Sequence, residues 1–297
     1  MTSPIGILRL LLAFFFCAGA LAVPGRASAQ VDTIGVAADS LYTIRLTDGS
    51  VIYGRIVERT DEAVTIETQA GVRVTLQRGQ IESMAAMRGR MVNGEVWPED
   101  PHATRLFFGP TARAVPQGQG YLGVYELFFP FVTYGVTDRF TISAGTPIVP
   151  EAIGRVVYFA PKFEVVRTPS ASAAVGVLAL FATEEALDGT VGLLYGVGTV
   201  GNPDQALTIG ATVPFYAAEG QSEIGSDPAF MIGGESRAGR RTKFITENYF
   251  FPGDGGLISG GIRFFGERLS ADFGIGAGVG DGESLCCLPL VNFVYTF

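Results

Sequence analysis

Hydrophobic and polar residues alternate along most of the chain after residue 118, in runs of about ten residues. In the last run the apolar face carries four residues at alternate positions: Val291, Phe293, Tyr295 and Phe297. Asn292 and Thr296 lie between them. A period of two places successive side chains on opposite faces of a β-strand. The alternation therefore predicts strands with one apolar and one polar face.

About twelve such strands are predicted between residues 118 and 297, joined alternately by short turns and longer loops. One strand is expected at 156–167, and one long polar loop at 217–227. The short turns are expected at 137–138, 168–170, 201–204, 238–239 and 266–268, all on the side of the C-terminus. This pattern is typical of a transmembrane β-barrel. A soluble β-sandwich shows the same alternation. The count also depends on a break at Pro130, because one bent strand from Gly120 to Val136 would change it.

Charged residues recur on the predicted polar faces, which would point into the barrel. The candidates for lining the lumen are Glu126, Arg139, Lys162, Glu164, Glu235, Lys243, Glu247, Arg263 and Asp272. Charges that face a narrow lumen either line an aqueous path or pair with one another and close it. A barrel of about twelve strands lies between the filled small barrels and the open porins, so both alternatives stay open.

The residues before the barrel predict a small β module and a linker. Short alternating runs at 41–84, with a two-residue Asp48-Gly49 turn, predict about five strands of an SH3-like or Sm-like fold. Residues 85–117 have no clean period and contain the only Trp, the only His and four prolines. We interpret them as a linker, one option being that it lies across or inside the barrel mouth.

The first 29 residues read as a secretory signal. An apolar run from Leu10 to Ala22 is too short to span a membrane as a helix, and Ala27-Ser28-Ala29 offers a cleavage site. Removing this segment takes two arginines away, so the net charge falls from −8 to −10. A secreted acidic chain without basic clusters is a poor partner for nucleic acid.

Two stretches resemble known proteins. The segment LTDGSVIYGRIVERTDEAVTIETQAG is similar to modules that precede bacterial envelope barrels. The segment from Ala103 to Gly145, with that module before it, resembles a group of uncharacterised Gram-negative outer-membrane β-barrel proteins without assigned chemistry. The terminal strand resembles the closing strand of such barrels. The resemblance implies an outer-membrane location with the module in the periplasm, and Phe293, Tyr295 and Phe297 as a sorting signal for the barrel assembly machinery. It also implies contact with lipid and lipopolysaccharide.

Catalytic or cofactor chemistry finds little support in the sequence. His102 is the only histidine and would act as a base only if the linker folded into the barrel; otherwise it is a solvated loop residue. One histidine and the adjacent Cys286 and Cys287 make a zinc site improbable. The cysteines are either loop thiols or a disulfide. The string Gly196-Val-Gly-Thr-Val-Gly201 lies inside a predicted strand, so it lacks the strand-to-helix turn that nucleotide binding requires.

The sequence therefore predicts an all-β protein without catalytic residues, metal or cofactor. Its expected function is a passive narrow channel for small solutes, or a structural envelope barrel. In the alternative, the barrel is a plugged membrane anchor and the module binds a periplasmic protein partner.

Overall fold

The computed structural model describes residues 41–297, apart from residues 69, 87–88, 93–94, 151, 154, 183–188, 219–220 and 281–285. The predicted signal segment, 1–29, lies outside these residues. Contacts divide the described chain into two units, which meet in sequence between Glu99 and Asp100. Among the described residues, no helix has the length and apolarity needed to cross a membrane.

The first unit is built on a five-stranded antiparallel sheet. Its strands are β1 (Leu41–Leu46), β2 (Val51–Arg59), β3 (Ala63–Glu67), β4 (Arg73–Gln77) and β5 (Ile81–Ala86), in the spatial order β4-β3-β2-β1-β5. Ile44, Val64 and Ile66 are fully buried between them. A separate hairpin follows, formed by β6 (Gly89–Val92) and β7 (Glu95–Pro98). The SH3-like class of the sheet stays a prediction.

The second unit is a closed antiparallel barrel of twelve strand positions. Its strands are β8 (Gly120–Tyr125), β9 (Phe129–Gly135), β10 (Phe140–Gly145), β11 (Val156–Phe159), β12 (Lys162–Arg167), β13 (Ala171–Ala182), β14 (Thr190–Asn202), β15 (Gln205–Ala218), β16 (Gln221–Ile224), β17 (Ala229–Gly239), β18 (Thr242–Phe251), β19 (Gly255–Phe265), β20 (Leu269–Val279) and β21 (Leu288–Thr296). Because β21 pairs with β8, the wall strands close into a ring and the predicted barrel is confirmed.

The two ends of the barrel differ. Short turns such as 203–204 and 240–241 lie at the end that holds the C-terminus, which we call the turn side. Longer connections such as 146–155 lie at the opposite end, which we call the loop side.

The two faces of the wall have opposite chemistry. In β20, Phe273 and Ile275 are 45% and 62% exposed on the outside, whereas Asp272 between them is fully buried on the inside. In β18, Phe244 is exposed and Lys243 is buried. An apolar exterior with polar groups inside is the arrangement that a barrel in lipid requires.

The strand boundaries correct three expectations. The break between the first two strands is not at Pro130, which lies inside β9 opposite Val124. It is a tight turn in which Glu126 and Leu127 adopt φ values of 49° and 63°, as a type I′ turn requires. The single strand expected at 156–167 is interrupted, so β11 and β12 share one position, with Pro161 in the interruption. The polar loop expected at 217–227 contains β16, which pairs with β15.

Candidate functional site

Residues 100–116, which we call the plug segment, lie inside the barrel. The segment rises and returns as a tight loop, with Thr111 N–H donating to the Thr104 carbonyl oxygen (3.0 Å) and Leu106 N–H to that of Gly109 (2.9 Å). Its side chains are largely buried; His102, Leu106 and Phe107 are completely so. It contacts strands on opposite sides of the ring, β12 and β14 on one side and β17–β21 on the other. Only the lumen offers such a position.

Glu247 of β18 holds the tip of the plug segment. Its carboxylate accepts hydrogen bonds from the backbone N–H groups of Phe107 (2.7 Å), Phe108 (3.1 Å) and Gly109 (3.1 Å). The Tyr249 hydroxyl donates a fourth bond to the same carboxylate (2.7 Å). Three successive N–H groups of a turn form a nest for an anion. One wall side chain therefore satisfies every backbone donor at the tip.

Cationic and amide side chains bind the carbonyl groups of the tip. Arg263 of β19 donates to the Leu106 carbonyl oxygen (2.6 Å), and Asn292 of β21 donates to that of Phe107 (3.1 Å). Arg105 donates to both carbonyl groups from within the segment. The loop thus has few polar backbone groups left without a partner, which is what burial of an irregular segment demands.

An ion-pair network joins the plug segment to β17–β20. Asp100 pairs with Lys243 (2.9 Å) and Arg263 (3.2 Å) of the wall. Lys243 also contacts Glu235 (2.7 Å), which pairs with Arg113 of the segment.

A second part of the network centres on Asp272. This carboxylate lies between Arg105 of the plug segment (2.7 Å) and Arg263 of the wall (2.7 Å). Among the residues that the structure describes, the buried wall contributes three cations and four anions, namely Lys162, Lys243, Arg263, Glu164, Glu235, Glu247 and Asp272. Asp100, Arg105 and Arg113 of the segment add one net positive charge, so the charges balance. Removing one partner would leave a buried charge uncompensated, which is strongly destabilising.

The returning half of the segment descends along the opposite wall. Lys162 donates to the carbonyl oxygens of Thr111 (2.8 Å) and Arg113 (2.7 Å). Ala112 N–H donates to the Thr199 hydroxyl (2.9 Å), and Ala114 N–H to Glu164 (3.0 Å). The plug segment is therefore fixed to both sides of the lumen.

His102 is a buried structural residue and not a solvated one. Its Nδ1 lies 2.7 Å from the Ser270 hydroxyl oxygen, and its Nε2 lies 3.0 Å from that of Thr296. The ring packs edge-on against Tyr121 at 5.1 Å. A serine beside a histidine is the pair that a hydrolase requires, but this ring is completely buried and both nitrogens are engaged. The arrangement gives a substrate no access.

Glycines of the wall make room for the plug segment. A Cβ atom on Gly233 would lie 2.8 Å from the Thr246 carbonyl oxygen and would collide with the Leu106 side chain. A Cβ atom on Gly274 would lie 3.1 Å from the Phe107 ring. The tip of the segment therefore fits recesses that only glycine leaves open.

The structure places the nine predicted lumen residues in two groups. Seven of them, the three cations and four anions of the buried wall, lie on the inner face and contact the plug segment or one another. The other two do not occupy inward strand positions. Glu126 is in the β8–β9 turn, where its carboxylate accepts the Val291 N–H (3.2 Å), and Arg139 is exposed in the β9–β10 turn.

Asp100, Arg105 and Arg113 were not predicted as partners of these charges. Phe293, Tyr295 and Phe297 are exposed on the outer face, and their sorting role stays a prediction. Cys286 and Cys287 were expected to be either loop thiols or a disulfide, and in the structure they are joined by a disulfide.

Comparison with solved structures finds other β-barrels. The KdgM porin is 6% identical, with a TM-score of 0.42 over 60% of this chain and 96% of that chain. The NanC porin is 10% identical, with a TM-score of 0.38 over 60% and 97%. A loop-deletion mutant of OmpT, an outer membrane protein of Vibrio cholerae, is 13% identical, with a TM-score of 0.35 over 86% and 96%. No protein-family model matches the sequence, and no curated protein is similar to it.

Proposed function

We propose that the chain is an outer-membrane β-barrel channel for small solutes, closed at rest by its own plug segment. The signal-like N-terminus, the closed barrel and the apolar exterior support the location. The observation that carries the proposal is that the lumen is occupied by a segment held mainly through hydrogen bonds and ion pairs with the wall.

Polar contacts allow such a segment to leave and return. Water can replace each hydrogen bond in an aqueous lumen, so the net contribution of each bond is about 1 kcal/mol. Only Leu106 and Phe107 anchor the tip through a fully buried apolar contact. With the segment displaced, the charges of both signs on the wall would line an aqueous path with weak ion selectivity.

Conductance in planar bilayers tests this function. We expect purified wild-type protein to be closed most of the time and to show rare discrete steps. A variant in which residues 101–115 are replaced by a Gly-Ser linker of equal length should conduct persistently. Faster migration of the unboiled variant on an SDS gel provides the control for a folded barrel. A folded variant that stays silent would refute the channel.

A permanently plugged barrel is the second candidate, and the complete charge balance inside the lumen favours it. In this proposal the barrel anchors the protein, and the five-stranded unit, an SH3-like module in the periplasm, binds a protein partner. Bilayers would be silent for the wild type and for the linker variant. Crosslinking of the full-length protein in intact cells would yield a discrete adduct that is lost when residues 41–86 are deleted.

A further inference from the structure

We propose that the loop side of the lumen binds a small uncharged molecule that is mainly apolar or aromatic and carries one hydrogen-bonding group. This inference rests on the proposed function only for the direction from which the molecule arrives. It starts from the observation that charged and apolar side chains of the lumen lie at different levels along the barrel axis. The charged network ends at the level of Glu247, where the tip of the plug segment lies.

Above that level the inner face of the described wall strands is mainly apolar. The strand registers place these residues on the inner face towards the loop side: Leu178, Leu193, Thr212, Leu257 and Leu288. On the described strands β13–β15 and β17–β21, no inward position on this side is charged. Strand β16, which extends β15 on the loop side, is fully exposed and carries Glu223 opposite Tyr216. The four leucine side chains are only partly buried, so they border accessible space.

The floor of this space is formed by five partly buried side chains that cover the plug segment and its neighbours. They are Phe108, Tyr125, Tyr158, Tyr195 and Met231. Phe108 packs edge-on against Tyr125 at 5.4 Å, which joins the plug tip to the wall. A mainly apolar and aromatic lining with few polar groups is typical of sites for small organic molecules.

Polar atoms without partners define the hydrogen-bonding group. The Thr212 hydroxyl oxygen is buried and has no hydrogen-bond partner. Tyr195 is directly opposite Thr212 in the register, but its ring lies over Gly176, where a Cβ atom would collide with it. A buried hydroxyl without a partner is costly. The Thr212 hydroxyl is enclosed, so a ligand hydroxyl would have to enter between the surrounding side chains to reach it, and there it would remove that cost.

Charged solutes fit this space poorly. An ion would lose its hydration among leucine and aromatic side chains without gaining a counter-ion. An apolar ring would instead remove lining surface from water at about 25 cal/mol per Å². The lining therefore favours a benzyl alcohol-like molecule over benzoate of nearly the same size.

Equilibrium dialysis of the purified full-length protein in detergent tests the inference, with a detergent-only blank. The probes are benzyl alcohol, toluene and benzoate. Benzyl alcohol should bind saturably and benzoate should not. Thr212→Val should weaken benzyl alcohol binding about fivefold to tenfold through the lost hydrogen bond and leave toluene binding unchanged. Thr190→Val, on the outer face of β14 opposite the exposed Phe181, is the matched control and should change neither.

Absence of saturable binding, equal binding of benzoate, or equal effects of the two threonine variants would overturn the inference. Binding is measured without any conductance. Saturable binding combined with silent bilayers would therefore refute the channel and support this binding site. Conductance without saturable binding would support the channel and refute the binding site.

Discussion

Replacing Glu247 by Gln should loosen the plug segment without changing the size of the side chain. The two carboxylate oxygens accept three backbone N–H groups and the Tyr249 hydroxyl. Glutamine has one acceptor oxygen and presents an NH₂ group in place of the other. If the amide oxygen keeps Phe107 and Phe108, the Gly109 N–H loses its acceptor.

One orphaned backbone donor sets the magnitude. A buried N–H group without an acceptor costs about 1–3 kcal/mol. We therefore expect the substitution to destabilise the bound state of the plug segment by about 2 kcal/mol. Because each 1.4 kcal/mol is a tenfold change, the displaced population should rise roughly 30-fold.

Thiol labelling measures this population. Ala112 of the plug segment is completely buried against the wall, so Ala112→Cys reacts with a small methanethiosulfonate only when the segment moves. All variants also carry Cys286→Ser and Cys287→Ser, so that these two cysteines do not react with the reagent. Glu223→Gln, in the exposed strand β16, removes the same charge elsewhere and should leave the labelling rate unchanged. A rate for Glu247→Gln within about threefold of the parent would refute the role assigned to the carboxylate.

Four further outcomes follow from the geometry. Gly233→Ala should expel Leu106 and speed the same labelling, whereas Gly196→Ala should have no effect, because no atom lies within 4 Å of its added Cβ. His102→Ala should lower the temperature at which the unboiled gel band disappears, because the two hydroxyls on its ring lose their partner; an unchanged temperature would contradict the structural role. Neither the wild type nor this variant should hydrolyse p-nitrophenyl esters; activity lost on substitution would instead make His102 catalytic. The unboiled wild-type protein should migrate faster than the boiled one, and identical migration would count against the barrel.

The barrel was predictable because each of its strands and turns is specified by residues that are close together in the sequence. Alternation over about ten residues and the turn residues between the runs depend only on near neighbours, so the strand number and the two faces were recovered. The interruption at Pro161 and the turn at Glu126 were missed. The first depends on pairing with both β10 and β13, and the second on left-handed conformations in residues that rarely adopt them.

The plug segment was not predictable from periodicity. Residues 100–116 form neither helix nor strand, and their partners lie up to 194 positions away. One signal was present: the inward charges of the wall are unbalanced by one negative charge, and Arg105 and Arg113 supply cations from the linker. The charge count indicates that the wall needs a partner of positive net charge, but it does not give the position of that partner in the lumen.

The position of His102 bears on how the barrel closes. The residue is hydrogen-bonded to β20 and β21, and the adjacent chain reaches β8 through a bond between the Thr104 and Tyr121 hydroxyls (2.9 Å). These strands flank the seam at which the first and last strands of the barrel meet. The plug segment is joined directly to the first wall strand and contacts the last two, so it links both ends of the sheet. We therefore expect it to act as a template that brings the two ends of the sheet together, reducing the entropic barrier of a contact between distant parts of the chain.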